Sequence, residues 1–226
     1  MNFLLMKSKS SILFFSLAIL SLHVGAQKSL SEGSIVYNIS VETGSSQPKM
    51  ADMLDGATTT IYLKGSQSRM EMVSGLGSEA TIYNVTAGSG VILKEYSGQK
   101  LMITLTPEDW INNNKKYDGI TFENTGDTAT IAGFHCEKTN AKLKDGSSFV
   151  VYYTRDVEPV NKNYDAQFKT LPGLAVQYEM QTGKMKFKFT LSKVNYAPVP
   201  SSKFEIPKSG YRIMTYEETK NKSGNQ

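Results

Sequence analysis

Apolar and polar residues alternate with a period of two along most of the chain, and this alternation is its main structural signal. In "SIVYNISV" the residues Ile35, Tyr37, Ile39 and Val41 share one face, and in "QKLMITLT" Leu101, Ile103 and Leu105 do the same. "FVVYY" contributes Phe149, Val151 and Tyr153. The clearest run is "GKMKFKFTLSK", where Met185, Phe187, Phe189 and Leu191 alternate with Lys184, Lys186, Lys188 and Thr190. Successive side chains of a strand point to opposite faces, so such a run predicts a strand buried on one side and solvated on the other. "TTTIYLK", "SRMEMV", "EATIYNV", "GVILKEY", "TATIAGF", "FHCEKTNAKL" and "LAVQYEM" qualify by the same criteria, for about ten strands in all. Short turn signals separate them: "KGSQ" at 64–67, "SGQ" at 97–99, "KDGS" at 144–147 and "QTGK" at 181–184. Asp145 and Gly146 both tolerate the positive φ of a tight hairpin, and tight hairpins make antiparallel neighbours.

Three segments do not alternate and are expected as short helices or helical turns: 47–56, 106–118 and 161–171. In the second, Thr106 can cap, Pro107 suits the first helical position, and Glu108 and Asp109 complement the helix dipole. A large sheet with one apolar face must cover that face, and these helices are too short to form a full second layer. The expected fold is therefore mainly β (α+β): a single curved antiparallel sheet forming an open half-barrel, with the short helices as plug or lid. A two-sheet sandwich is the alternative.

The first 26 residues change the picture of the compartment. A basic start (Lys7, Lys9), an apolar run from Ile12 to Leu22, and small residues Val24 and Ala26 predict a signal peptide cleaved between Ala26 and Gln27. The apolar run is shorter than the roughly 20 residues that span a bilayer. The expected mature chain, 27–226, is a single domain with a polar tail that frays from about residue 215. It is expected to be periplasmic or secreted, in a Gram-negative bacterium. The net charge of +4 falls to +2 once Lys7 and Lys9 leave, too near balance for a nucleic-acid binder. With 39% hydrophobic and 20% charged residues the composition is that of a folded domain. A single cysteine excludes an internal disulfide, so the apolar core alone must hold the fold.

Candidate chemistry centres on "IAGFHCEK", where Cys136 stands beside His135. A thiol–imidazole dyad needs the base within hydrogen-bond reach, but neighbours on a strand face opposite ways. The expectation is a structural thiol packed as a small hydrophobe. No CxxC or HExxH spacing, GxSxG, phosphate loop or dinucleotide fingerprint occurs, so no enzyme activity, metal or cofactor is expected. The methionines Met50, Met53, Met70, Met72, Met102, Met180 and Met185 suit either an adaptable ligand surface or plain core filling.

In order, "EGSIVYNI", "TTTIYLKGSQSRMEM", "TATIAGFHCEKTNAKL", "VVYYTRDV", "LPGLAVQYEM" and "SSKFEIPKSGYRIM" resemble the successive motifs of a bacterial exported family of unknown function built around a Leu-Pro-Gly-Leu signature. That group is similar in layout to the LolA and LolB lipoprotein carriers. The resemblance implies a half-barrel around a hydrophobic cavity in a periplasmic or secreted protein. It places Ile131, Gly133 and Cys136 in an "I-x-G-[FY]-x-C" pattern and Leu171, Pro172, Gly173 and Leu174 in the loop that opens the next strand. Neither Arg69 nor Arg155 aligns with the arginine that holds the carriers' lid, so only apolar-ligand binding in general carries over.

The expected function is a monomeric, non-enzymatic binding or carrier protein for a lipid or other hydrophobic small molecule, with peripheral membrane contact. Leu101, Ile103, Phe149, Val151, Met185, Phe187, Phe189 and Leu191 are the candidate cavity lining; the same residues could instead fill a dry core. The alternative is an envelope interaction module that binds a protein through an exposed strand edge or the methionine-rich segment.

Overall fold

The computed structural model describes residues 27–43 and 49–223, so the expected signal peptide up to Ala26 lies outside the described residues. The strands are β1 (Lys28–Leu30), β2 (Glu32–Thr43), β3 (Thr58–Lys64), β4 (Gln67–Ser74), β5 (Gly77–Asn84), β6 (Ser89–Tyr96), β7 (Gln99–Leu105), β8 (Thr121–Ile131), β9 (Phe134–Lys142), β10 (Ser148–Thr154), β11 (Val157–Pro159), β12 (Leu174–Thr182), β13 (Met185–Asn195) and β14 (Arg212–Thr215). The α-helices are α1 (Lys49–Leu54), α2 (Pro107–Asn114) and α3 (Tyr216–Ser223). Twelve strands form one sheet in the order β14-β7-β6-β5-β4-β3-β2-β13-β12-β10-β9-β8. Its two edges, β14 and β8, do not pair with each other, so the barrel stays open. Pairing is antiparallel throughout except at the β14–β7 margin, and β1 pairs with β11 in a separate parallel ribbon.

Each hairpin follows from its turn chemistry. Gly65, Gly98, Gly146 and Gly183, the glycines of the four predicted turns, all have positive φ. Ala132 (φ 52°) and Gly133 (φ 83°) form a further two-residue turn, with Ile131 opposite Phe134. Gly133 therefore closes a hairpin, and β9 starts at Phe134, the first residue of "FHCEKTNAKL". β8 is longer than "TATIAGF" suggests: it begins at Thr121, and its register slips between Asn124 and Thr128. That slip lets an exposed, mostly polar strand continue along the margin.

The helical segments fall where expected. The Thr106 hydroxyl accepts from the Asp109 N–H at 3.2 Å while Asp109 Oδ2 accepts from the Thr106 N–H at 2.9 Å, a reciprocal capping box, with Pro107 opening α2. Residues 161–171 contain two 3-10 turns, 162–164 and 166–168. The tail from Thr215, expected to fray, continues as α3, capped by a hydrogen bond from the Thr215 N–H to Glu218.

The main core lies between the 161–171 segment and the sheet face carrying Ile35, Tyr37, Ile61, Val151 and Leu191. Tyr164, Phe168 and Leu171 insert from the segment as a plug. Leu171 and Leu174 flank the Leu-Pro-Gly-Leu turn and are 1% and 0% exposed. Between them the Gly173 N–H donates to the Leu171 carbonyl at 3.0 Å, a three-residue turn whose centre suits the fixed φ of Pro172. A second, smaller core covers the opposite face of β5–β7, where Ala80, Ile82, Val91, Leu93 and Met102 pack against Tyr211.

Cys136 is fully buried in the main core and its thiol donates to the Phe134 carbonyl at 3.4 Å, while His135 is exposed. Burial pushes the thiol pKa up, away from nucleophilic thiolate. Cys136 should accordingly resist a thiol reagent such as dithiobis-nitrobenzoate in the folded protein and react once denaturant is added. Rapid labelling of the native protein would contradict this burial.

Candidate functional site

The sheet face that carries the core continues past the plug, and there a cavity of about 290 Å³ opens. β4 supplies Ser68, Met70 and Met72, which share a face by strand period. Across the ladder Met72 stands opposite Thr59 of β3 and Glu79 of β5, and Met70 opposite Thr81. The far wall is Tyr178 and Met180 of β12 with Phe189 of β13. Tyr178 and Phe189 are cross-strand partners whose rings stack at 4.7 Å. Helical pieces form the rest: Trp110, Asn113, Asn114 and Tyr117 from α2 and the turn after it, and Tyr164, Asp165, Ala166 and Gln167 from the plug.

α2 is pinned over this opening from both sides. The Trp110 ring stacks on Tyr83 of β5 at 3.7 Å, and the Tyr216 hydroxyl of α3 donates to Asn113 at 2.7 Å. No residue of α2 is buried, so it acts as a lid and adds nothing to the core.

Two carboxylates line the cavity and their surroundings differ. Glu79 has Lys94 at 2.9 Å and the Tyr96 hydroxyl at 3.3 Å. Asp165 receives the Gln167 N–H at 2.9 Å, and among the described residues it makes no ion pair. The protein packed around Asp165 pushes its carboxyl up to about 6, against the opposing pull of the Gln167 N–H and nearby Lys116. Burial likewise raises the phenols of Tyr164, Tyr178 and Tyr117, with the charge of Asp165 adding to each. Gln167 is 3% exposed and its Nε2 has no partner.

Of the eight candidate lining residues, Phe189 is in this wall. Val151 and Leu191 are buried in the main core, with Phe149 packed against it. Met185 and Phe187 lie half-buried on the outer stretch of β13. Leu101 and Ile103 lie elsewhere, in a 630 Å³ depression with Lys94, Lys100, Arg212 and Met214. That space is larger, but its walls come only from one sheet margin and α3, and three cations border it. Among the methionines, Met70, Met72 and Met180 line the lidded cavity, Met102 is core and Met53 is exposed. The Met50 side chain lies outside the described residues. Sequence reasoning missed Thr59, Ser68, Glu79, Thr81, Asp165 and Gln167, because polar residues carry no alternation signal of a wall.

No protein-family model and no curated protein matches the chain. Among solved structures it is similar to an uncharacterized conserved protein from Thermus thermophilus, with 7% identity, TM-score 0.47, and coverage of 81% of this chain and 91% of that one. MucB matches at 12% identity and TM-score 0.41 over 79% of this chain and 59% of its own. A LolA superfamily protein, NE2245 from Nitrosomonas europaea, matches at 6% identity and TM-score 0.35 over 80% and 92%. The chain spans only 33% of another match, PNGF-II. Residue roles do not carry over at these identities and TM-scores, so the site stands on its own chemistry.

Proposed function

We propose that the protein is a monomeric, non-enzymatic periplasmic binding or carrier protein that shelters a small hydrophobic or amphipathic ligand under α2. The observation that carries this reading is the wall itself: three thioethers, Met70, Met72 and Met180, line one cavity together with the stacked rings of Tyr178 and Phe189. Flexible, polarizable thioethers adapt to varied apolar shapes, and a lidded apolar cavity with a few polar groups is the usual form of a small-molecule site. Its 290 Å³ stands just below the ~300–1,000 Å³ typical of ligand pockets. The occupant is thus a compact molecule or the end of an acyl chain, not a whole diacyl lipid. The expected signal peptide supports a place in the periplasm. The alternative of strand addition by a protein partner gains no support at β8, where the slip between Asn124 and Thr128 interrupts the edge.

Mass spectrometry of an organic extract from natively purified protein should reveal a co-purified apolar compound, and a hydrophobic dye should compete for the cavity. A clean extract together with no dye binding would sink the proposal.

A further inference from the structure

The cavity holds one carboxylate that makes no ion pair among the described residues. Glu79 is matched by Lys94, but Asp165 has only a backbone N–H. Lys116 of the lid segment, whose charge pulls against the raised Asp165 carboxyl, is exposed with its Nζ 4.8 Å from the Tyr117 ring centroid, and Asp165 makes no ion pair among the described residues. The lining that includes this carboxylate also includes Trp110, Tyr117, Tyr164 and Tyr178; Trp110 uses one ring face to stack on Tyr83 and Tyr178 one to stack on Phe189, and aromatic rings attract cations by their faces. Gln167 is a second, independent sign that a polar group from outside the chain belongs here. It lines the cavity, is 3% exposed, and its Nε2 has no partner. Its amide offers a donor or, turned over, an acceptor oxygen.

We propose that the ligand is a small organic cation, an alkyl- or arylammonium compound, with its nitrogen against Asp165 among the aromatic rings and its apolar part along Met70, Met72 and Met180. This rests on the ligand-binding reading above and narrows it. A primary ammonium donates to the Asp165 carboxylate and to the Gln167 oxygen, and its charge supplies what desolvation denies that carboxylate. An anionic head, such as a fatty-acid carboxylate or a phosphate, would instead meet the unpaired Asp165 with like charge. The raised carboxyl pKa of Asp165 and the raised phenols facing it are what a negative site awaiting its counter-charge shows.

Matched probes test this without knowing the natural ligand. Octylammonium, 1-octanol and octanoate share one tail and differ in charge, and Trp110, the only tryptophan of the chain, reports from the cavity wall by its fluorescence. At about pH 8, well above the Asp165 carboxyl's value of about 6, octylammonium should bind about tenfold or more tightly than either of the others. In Asp165→Asn that preference should shrink to about twofold or less. Equal binding of octylammonium and 1-octanol to the unaltered protein, tighter binding of octanoate, or a preference that survives Asp165→Asn would overturn the cation and leave the apolar cavity standing. Failure of all three probes to bind would overturn both.

Discussion

Gly173→Ala should lower the free energy of unfolding by about 3 kcal/mol or more, read as a shift in the midpoint of urea denaturation. Gly173 has φ +143°, and a Cβ built there would stand 2.1 Å from the Thr154 carbonyl oxygen and 2.9 Å from its carbon. Both contacts are backbone, so no side-chain rotation relieves them. Nor can the loop retreat, because Leu171 and Leu174 on either side are seated in the core and Lys162 Nζ holds the Leu171 carbonyl at 2.9 Å. The glycine of the Leu-Pro-Gly-Leu signature thus lets the chain leave the plug and enter β12 against the end of β10. Gly133→Ala separates the two components of the effect. Gly133 also has positive φ, +83°, but nothing lies within 4 Å of its added Cβ. That substitution should cost only about 1 kcal/mol, the strain of a left-handed residue. Equal losses at the two sites would show that the close approach to Thr154 does not matter.

The contrast between these glycines bears on what could be read in the chain beforehand. Features encoded within a few residues were legible: period-two alternation for β2, β7, β10 and β13, glycine turns at Gly65, Gly98, Gly146 and Gly183, and the Thr106-Pro107 start of α2. Elements defined by remote partners were not. β14 is four residues long and pairs in parallel with β7, more than a hundred residues earlier, while β8 is so exposed that its polar half carries no alternation. The site lay between these cases. Alternation tells which face a residue occupies but not whether the space before it is filled. Leu191 and Phe189 share a face of β13, yet Leu191 lies in the core packed by the plug and Phe189 borders the cavity beyond. Where the core stops depends on how residues 161–171 fold back onto the sheet, and two 3-10 turns leave no periodic trace in so short a stretch. The thioethers of Met70, Met72 and Met180 were the part of the wall that composition could flag.

Asp165→Asn should make the unliganded protein more stable at neutral pH by about 2–3 kcal/mol, with the gain vanishing toward about pH 4. The carboxyl is raised from 3.8 to about 6 on folding, so between those values the folded chain holds a proton that the unfolded chain has lost. Stability therefore falls as pH rises through this window, and above it the folded protein carries the full penalty of an ionised, unpaired carboxylate. About two units at ~1.4 kcal/mol each set the upper bound. Asp109 and Glu137 act the other way: their pKa values are lowered by hydrogen bonds, from Thr106 and from Arg155 respectively, and their contributions are lost on acidification. They are common to both proteins and cancel in the difference. Asparagine keeps a side-chain oxygen that can accept the Gln167 N–H, so the local turn should survive. Urea denaturation of both proteins between about pH 4 and pH 8 decides the matter. A difference that does not change with pH, or a loss of stability at about pH 7, would mean that the carboxylate is already compensated in the free protein, and no ligand cation would be needed. If instead the gain appears as the pH rises, the substitution that steadies the empty protein is the one that should erase its preference for octylammonium. A residue that weakens the fold while facing an open cavity is best understood through what the cavity is built to receive.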